Sequence, residues 1–188
     1  MTDDPETQPF NLMHAAFHEA GHAVAAVVLG ENLRSVDVRQ RQLPDGRLQL
    51  GLTDCEGVNA IDSLGMGHQA ALTHVIRAFA GPVAEALVNP DFREGHSGDI
   101  ASVRELVSLA FGRGVAKDDQ VVLDRWDEVR RDDRVVDLLR SAQAEAVRLV
   151  EEHWPAISAV AARLLEEEQL SGDDVASIVN ADLRKPNW

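Results

Sequence analysis

The sequence contains a single cysteine, Cys55, among 188 residues, so an internal disulfide framework is excluded. A lone unpaired thiol is more typical of a reducing compartment than of a secreted scaffold. Residues 1–6 are acidic, whereas a secretory signal peptide begins with a basic segment. These features together predict a cytoplasmic protein.

Long apolar runs and positive charge are both scarce. The run at residues 23–29 is much shorter than the roughly 20 residues that span a bilayer, so we expect no membrane insertion. The net charge is −14, and phosphate groups need a basic surface to bind. The composition therefore predicts a soluble, acidic protein that does not bind nucleic acid.

The most informative motif is His18-Glu19-Ala20-Gly21-His22, which lies in an apolar segment. Two histidines four residues apart on a helix lie one turn apart on the same side, so both imidazoles can bind one metal ion. The intervening glutamate points to the same region, where it can accept a proton from water. This is the pattern of the HExxH metallohydrolases.

The apolar periodicity predicts a mainly helical α+β fold with a small β-hairpin. We expect a mobile leader at residues 1–10, a single domain at 11–180 and a tail at 181–188. One hairpin strand is expected to present an open edge beside the metal, and Gly81-Pro82 to mark a bend or close contact. For the charged segment 116–133 the sequence gives no clear prediction of secondary structure. The predicted helices cover about residues 11–29, 68–87, 99–111, 134–154, a segment from 155 and 171–179, and the strands lie around 36–38 and 48–52.

A catalytic zinc usually takes three protein ligands, so the motif needs one more donor. Glu85, on the second long helix, and Asp99, at the start of the third, are the candidates, and spacing alone does not choose between them. Spacing also singles out none of the remaining histidines, which are His14, His68, His74, His96 and His153.

The ordered motifs resemble the peptidase domain of the FtsH-type zinc metalloproteases over about residues 11–180. The matching segments are His18-Glu19-Ala20-Gly21-His22, Ala80-Gly81-Pro82-Val83-Ala84-Glu85, Glu94-Gly95-His96-Ser97-Gly98-Asp99 and Leu170-Ser171-Gly172-Asp173-Asp174. The resemblance implies a helical bundle around the HExxH helix. It also implies that Asp99 is the third zinc ligand and that Glu85 has a supporting role.

The sequence departs from this family in several respects. It has no GxxxxGK[ST] motif and its only lysines are Lys117 and Lys185, so we expect neither a P-loop ATPase nor the membrane segments that accompany it in the family. A separate AAA ATPase partner and a homo-oligomer are the corresponding expectations. Glu94 and His96 replace the family's Thr and Ala, which makes His96 a candidate for contacting substrate or a ligand carboxylate.

The resemblance implies a zinc-dependent endopeptidase that cleaves unfolded or flexible polypeptides. His18, His22 and Asp99 are expected to hold Zn²⁺, with Glu19 as the general base. The sequence has no tyrosine, so a tyrosine cannot assist at the oxyanion, and His96 or His74 are the candidates for that task. The alternative is a non-catalytic adaptor that binds zinc and a protein partner, although metal binding alone has no need of Glu19. Metal analysis would distinguish both from a metal-free regulatory protein.

Overall fold

The computed structural model describes residues 12–42, 46, 48–56, 68–89, 97–111, 126, 127 and 129–184. The predicted α+β class, mainly helical with a small β-sheet, is confirmed. The predicted leader at 1–10 and most of the charged segment 116–133 lie outside the described residues. In chain order the elements are α1 (Leu12–Val28), β1 (Leu33–Gln42), β2 (Leu48–Cys55), α2 (His68–Val88), α3 (Ser97–Phe111), α4 (Asp133–Glu152), α5 (Trp154–Glu167), β3 (Gln169–Ser171) and α6 (Gly172–Leu183).

Helix α1 is the central element, and its residues from Ala20 to Ala26 are all buried. Small residues let its neighbours approach closely. A Cβ on Gly21 would lie 2.6 Å from the carbonyl oxygen of Ala80 in α2, so the backbones of α1 and α2 are in direct contact. The predicted close contact at the glycine-rich part of α2 is confirmed.

Helix α1 ends at a glycine, as its sequence predicts. Gly30 has a φ of +77°, and its N–H donates to the carbonyl oxygen of Val27. The next residue, Glu31, donates its N–H to the carbonyl oxygen of Ala26. These two hydrogen bonds form a Schellman motif, which fixes the direction of the chain as it leaves the helix.

The sheet has three strands in the order β2-β1-β3. The predicted hairpin is confirmed, because β1 and β2 pair antiparallel with Val36 opposite Thr53. Strand β2 runs through Cys55, three residues beyond the predicted end of the strand at residue 52. Strand β3, which the sequence analysis missed, pairs antiparallel with β1 through Val36 and Leu170. Within the described residues β2 has one sheet neighbour, so it forms an edge.

The C-terminal helices pack as their apolar stripes predict. Ser171 caps α6 through a capping box with Asp174, at the predicted position, and the helix runs to Leu183 rather than to residue 179. The buried residues of α4 are Val135, Leu138, Ala142, Ala146, Leu149 and Val150, six of the seven that form its predicted stripe. Helices α5 and α6 pack against α1, whereas α4 packs mainly against α2.

The apolar content of α2 was underestimated from the sequence. Among the described helices, its window Ala71–Val88 is the one long and apolar enough to cross a membrane by length and composition. Half of that window is buried inside the protein, and a core helix of a soluble protein passes the same test. This window is longer than the run at residues 23–29 on which the expectation of no membrane insertion was based.

Candidate metal centre

Three potential metal ligands from two helices meet at one point. His18 and His22 lie one turn apart on α1, and Asp99 lies in the first turn of α3. The Nε2 atoms of the two histidines are 3.0 Å apart, and the Asp99 carboxylate oxygens lie 3.1 Å from His18 Nε2 and 3.2 Å from His22 Nε2. Each Asp99 oxygen thus faces one histidine, and we call the two Nε2 atoms and the carboxylate together the donor triangle.

The second nitrogen of each imidazole is engaged on the far side of its ring. His22 Nδ1 lies 2.8 Å from the carbonyl oxygen of Arg77, and because a carbonyl only accepts, Nδ1 carries the proton. His18 Nδ1 lies 2.8 Å from a carboxylate oxygen of Glu85. Such contacts fix ring orientation and leave the Nε2 lone pairs for a metal ion.

The dimensions of the triangle fit a zinc ion. Ligand atoms around a tetrahedral zinc stand about 3.3–3.5 Å from one another. The closest approaches between the three side chains, 3.0–3.2 Å, are near this range, so small shifts suffice to place one atom of each around a zinc ion. Two imidazoles and one carboxylate also match the donor set of catalytic zinc sites.

The electrostatics of the triangle favour a cation. Burial opposes protonation of His18, but the hydrogen bonds to Asp99 and Glu85 outweigh it and raise the pKa of His18 to about 10. Burial likewise opposes ionisation of Asp99, yet the two histidines hold its pKa well below the usual range. Both shifts favour a positive charge between these side chains, which is the place where a metal ion would bind.

Glu19 lies beside the triangle in a confined position. Its side chain is buried, and Thr53 Oγ1 of β2 donates to Glu19 Oε2 at 2.7 Å. A Cβ on Gly51 would lie 2.6 Å from Glu19 Cγ, so only glycine leaves room for this carboxylate against β2. Burial raises the pKa of Glu19, although His22, His18 and the Thr53 hydrogen bond act against the rise.

A cavity of about 250 Å³ opens next to Glu19, His22 and Asp99. It lies between the edge strand β2 and helices α2 and α3. Its wall combines apolar and polar side chains, so it can accept a side chain of an extended chain lying along β2. The remaining lining residues are Gln49, Gly51, Leu52, Thr53, Arg77, Ala78, Gly98, Ser102 and Leu106.

Replacing Gly81 with alanine is expected to disturb His22. The added Cβ would lie 2.7 Å from His22 Cδ2 and closer still to the other two ring atoms it meets, Cε1 and Nε2. We expect the metal-free protein to lose about 1–3 kcal/mol in its free energy of unfolding, the usual cost of overpacking, and to bind zinc more weakly. Urea denaturation and zinc titration measure the two effects.

The control for Gly81→Ala is Gly98→Ala, which is also helical but whose added Cβ meets no atom within 4 Å. Alanine has the higher helix propensity by about 1 kcal/mol, so this variant should be as stable as the wild type or more so. Equal stability of the two variants would contradict the close contact between Gly81 and His22.

The structure brings His18, Glu19, His22 and Asp99 together and places Glu85 behind His18. The His74 side chain is buried against Glu31 and is not among the residues that line the cavity, so the structure gives no support to the suggestion that it assists at the oxyanion. His96 lies outside the described residues.

Sequence reasoning missed three contributors to the site, Gly51, Thr53 and the carbonyl of Arg77. The alternating leucines of β2 carried a signal for the first two. Gly51 and Thr53 alternate with these leucines, so they point to the opposite face of the strand, which is the face toward Glu19. Every residue has a main-chain carbonyl, so the sequence carries no signal for the role of the Arg77 carbonyl.

The chain is similar to several ATP-dependent zinc metalloproteases. It is 32% identical over 185 residues to FtsH 2 of Methylacidiphilum infernorum, 30% over 174 residues to FtsH 1 of Symbiobacterium thermophilum and 29% over 187 residues to FtsH of Acidimicrobium ferrooxidans. No protein-family model matches the sequence.

These matches cover 87–89% of this chain and 27–29% of each relative, so the chain spans less than a third of the length of the curated relatives it matches. The relatedness thus extends over most of this chain but concerns a limited part of the longer proteins. The chain is therefore a relative of the FtsH-type zinc metalloproteases, and the resemblance recognised in its ordered motifs is confirmed.

Proposed function

We propose that this protein is a zinc-dependent endopeptidase that cleaves extended segments of polypeptides. One observation carries the proposal: two imidazole nitrogens and a carboxylate converge within 3.2 Å of one another beside a buried glutamate. His18, His22 and Asp99 are the proposed zinc ligands, and Glu19 is the proposed general base. The names of the relatives, all zinc metalloproteases, agree with this assignment.

A zinc ion held by these three residues would polarise a peptide carbonyl and lower the pKa of a water molecule. Glu19 supplies the proton transfers. It takes a proton from the attacking water and then delivers it to the nitrogen of the departing amine. Burial raises the pKa of Glu19, which brings its proton affinity closer to that needed near neutral pH. The Thr53 hydroxyl holds one oxygen of this carboxylate and leaves the other for water.

An extended polypeptide is the substrate that best fits the surface beside the site. Strand β2 is an edge and its main chain can pair with an added strand. Leu50 and Leu52 are 43% and 40% exposed on this strand, so it offers apolar contacts as well as hydrogen bonds. Unfolded chains and flexible termini are the proposed substrates, because a folded protein cannot present such a segment.

Several further parts of the proposal rest on the resemblance. The relatives are named as ATP-dependent proteases, and we propose that a separate AAA ATPase partner delivers folded substrates to this chain. A homo-oligomer and a cytoplasmic location belong to the same proposal. Neither is needed for the cleavage of an already unfolded chain.

Metal removal tests the function directly. Protein purified without added metal is expected to contain about one zinc per chain and to cleave casein, an unfolded protein. A chelator should abolish cleavage, and added zinc should restore it, because the triangle of donors is the proposed site of the metal. Mass spectrometry of the metal and gel analysis of casein provide the readouts.

The same experiment separates the alternatives. Zinc without cleavage of casein would contradict the peptidase assignment and favour the adaptor. A metal-free protein that cannot be loaded with zinc would contradict both.

A further inference from the structure

A second cluster of buried ionisable side chains is linked to His22 through Arg77. Glu31 follows α1, and its carboxylate contacts two residues one turn apart on α2. One oxygen contacts His74 Nδ1, and the other lies 2.7 Å from Arg77 Nε. The side chains of Glu31, His74 and Arg77 are only 8%, 8% and 14% exposed.

The backbone holds Glu31 firmly in place. Its N–H donates to the carbonyl oxygen of Ala26 at 2.9 Å in the Schellman motif that ends α1. The position of the Glu31 carboxylate is thus tied to the same helix that carries His22. A displacement of Glu31 relative to His22 would require the C-terminal end of α1 to unwind.

Two links from α1 therefore converge on one residue of α2. His22 Nδ1 donates to the main-chain carbonyl of Arg77, and Glu31 pairs with the side chain of the same residue. The carbonyl lies in an α-helix, so its direction is set by the position of α2. Whatever fixes α2 at residue 77 also fixes the hydrogen bond that orients the His22 ring.

We propose that Glu31, with His74 and Arg77, forms a positioning cluster that sets the metal affinity of the HExxH site. This inference rests on the proposed function. Glu31 holds Arg77 in register with α1, and the Arg77 carbonyl then keeps the proton of His22 on Nδ1 and its Nε2 directed at the metal. None of the three side chains ligates the metal.

Because the cluster is buried, we expect it to affect metal binding at the HExxH site more than the overall stability of the fold. Buried ion pairs often contribute little net stability, because desolvation offsets their attraction. Loss of an outer hydrogen-bond partner of a metal ligand, by contrast, typically weakens metal binding about 10–100-fold. Metal affinity is accordingly the property most sensitive to the cluster.

The test compares two buried carboxylates that each pair with an arginine. Glu31→Gln removes the negative charge that pairs with Arg77. Asp37→Asn is the matched control, because the Asp37 side chain is 4% exposed and its contacts run to Arg39 and Arg41 of its own strand. Zinc dissociation constants are measured by competition with a chromophoric chelator, on full-length chains whose folding is checked by circular dichroism.

We expect Glu31→Gln, which reaches His22 only through Arg77, to raise the zinc dissociation constant about tenfold and Asp37→Asn to leave it within about threefold of the wild-type value, whatever either variant does to stability. The cobalt-loaded Glu31→Gln protein should also show an altered visible absorption spectrum, which reports on ligand geometry. Equal zinc affinity in the two variants would overturn the inference.

A folding failure of Glu31→Gln does not prevent the test. His74→Gln removes one contact of the cluster and keeps the pair between Glu31 and Arg77, and we expect it to weaken zinc binding several-fold. Wild-type affinity in that variant would overturn the inference. The readout requires no proteolysis, so zinc binding without cleavage by the wild type would contradict the proposed function alone. A wild type that binds no zinc would overturn both.

Discussion

Replacing Glu19 with glutamine is expected to reduce casein cleavage by about 10²–10⁴-fold, the usual contribution of a general base, while one zinc per chain remains bound. Glutamine has the size of glutamate, so it fits against Gly51, and it can keep a hydrogen bond with Thr53. It cannot accept a proton from water. The zinc ligands are untouched, so the metal content should be unchanged.

The experiment measures initial rates of casein cleavage and zinc content on the same samples. Glu166→Gln is the matched control, since it makes the same substitution at an exposed position of α5 and should leave the rate unchanged. A rate within tenfold of wild type in Glu19→Gln would show that another group takes the proton. Loss of zinc along with activity would show that the residue serves the metal instead.

The centre of the site was predictable because it depends on helical geometry. The four-residue spacing of His18 and His22 places both rings on one side of any helix. The third donor, in contrast, could not be predicted from spacing. Asp99 lies on another helix, 77 positions after His22, and nothing in local spacing links the two. The family resemblance selected Asp99, and the structure places its carboxylate against both histidines.

The parts that sequence reasoning missed depend on long-range contacts between short or irregular segments. Strand β3 has three residues and pairs with β1 from the other end of the chain, so it carries no periodic signal of its own. Glu31 follows the glycine that ends α1 and reads as part of a polar turn. Its role is visible only when α2 brings His74 and Arg77 to it.

The alternating leucines of β2 correctly predict a strand, but they mislead about which face of the strand is buried. Alternating leucines ordinarily indicate the face of a strand that packs on the core. Here Leu50 and Leu52 are exposed, while the buried Gly51 lies against Glu19. A large side chain at this position of the inner face would displace the Glu19 carboxylate, so glycine stands there. The exposed leucines are then free to contact a bound polypeptide, as the proposed function requires.

The two candidates for the third ligand, Asp99 and Glu85, predict opposite rankings of zinc affinity for the variants Asp99→Asn and Glu85→Gln. Asp99 approaches the Nε2 atoms of both histidines, whereas Glu85 contacts the outer nitrogen of His18 alone. We expect Asp99→Asn to weaken zinc binding on the order of 100-fold or more, because it removes one of three protein ligands. Glu85→Gln should weaken it roughly tenfold, as expected for an outer hydrogen-bond partner.

A second readout distinguishes the two residues in the metal-free protein. Both carboxylates raise the pKa of His18, and the hydrogen bond to Asp99 contributes more than the one to Glu85. Each variant should therefore lower the pKa of His18 in an NMR titration, with the larger decrease in Asp99→Asn. Wild-type zinc affinity in Asp99→Asn, together with loss of binding in Glu85→Gln, would make Glu85 the ligand. Because both substitutions preserve side-chain size, a difference between them reflects the position of the charge relative to the two imidazoles and not a change in packing.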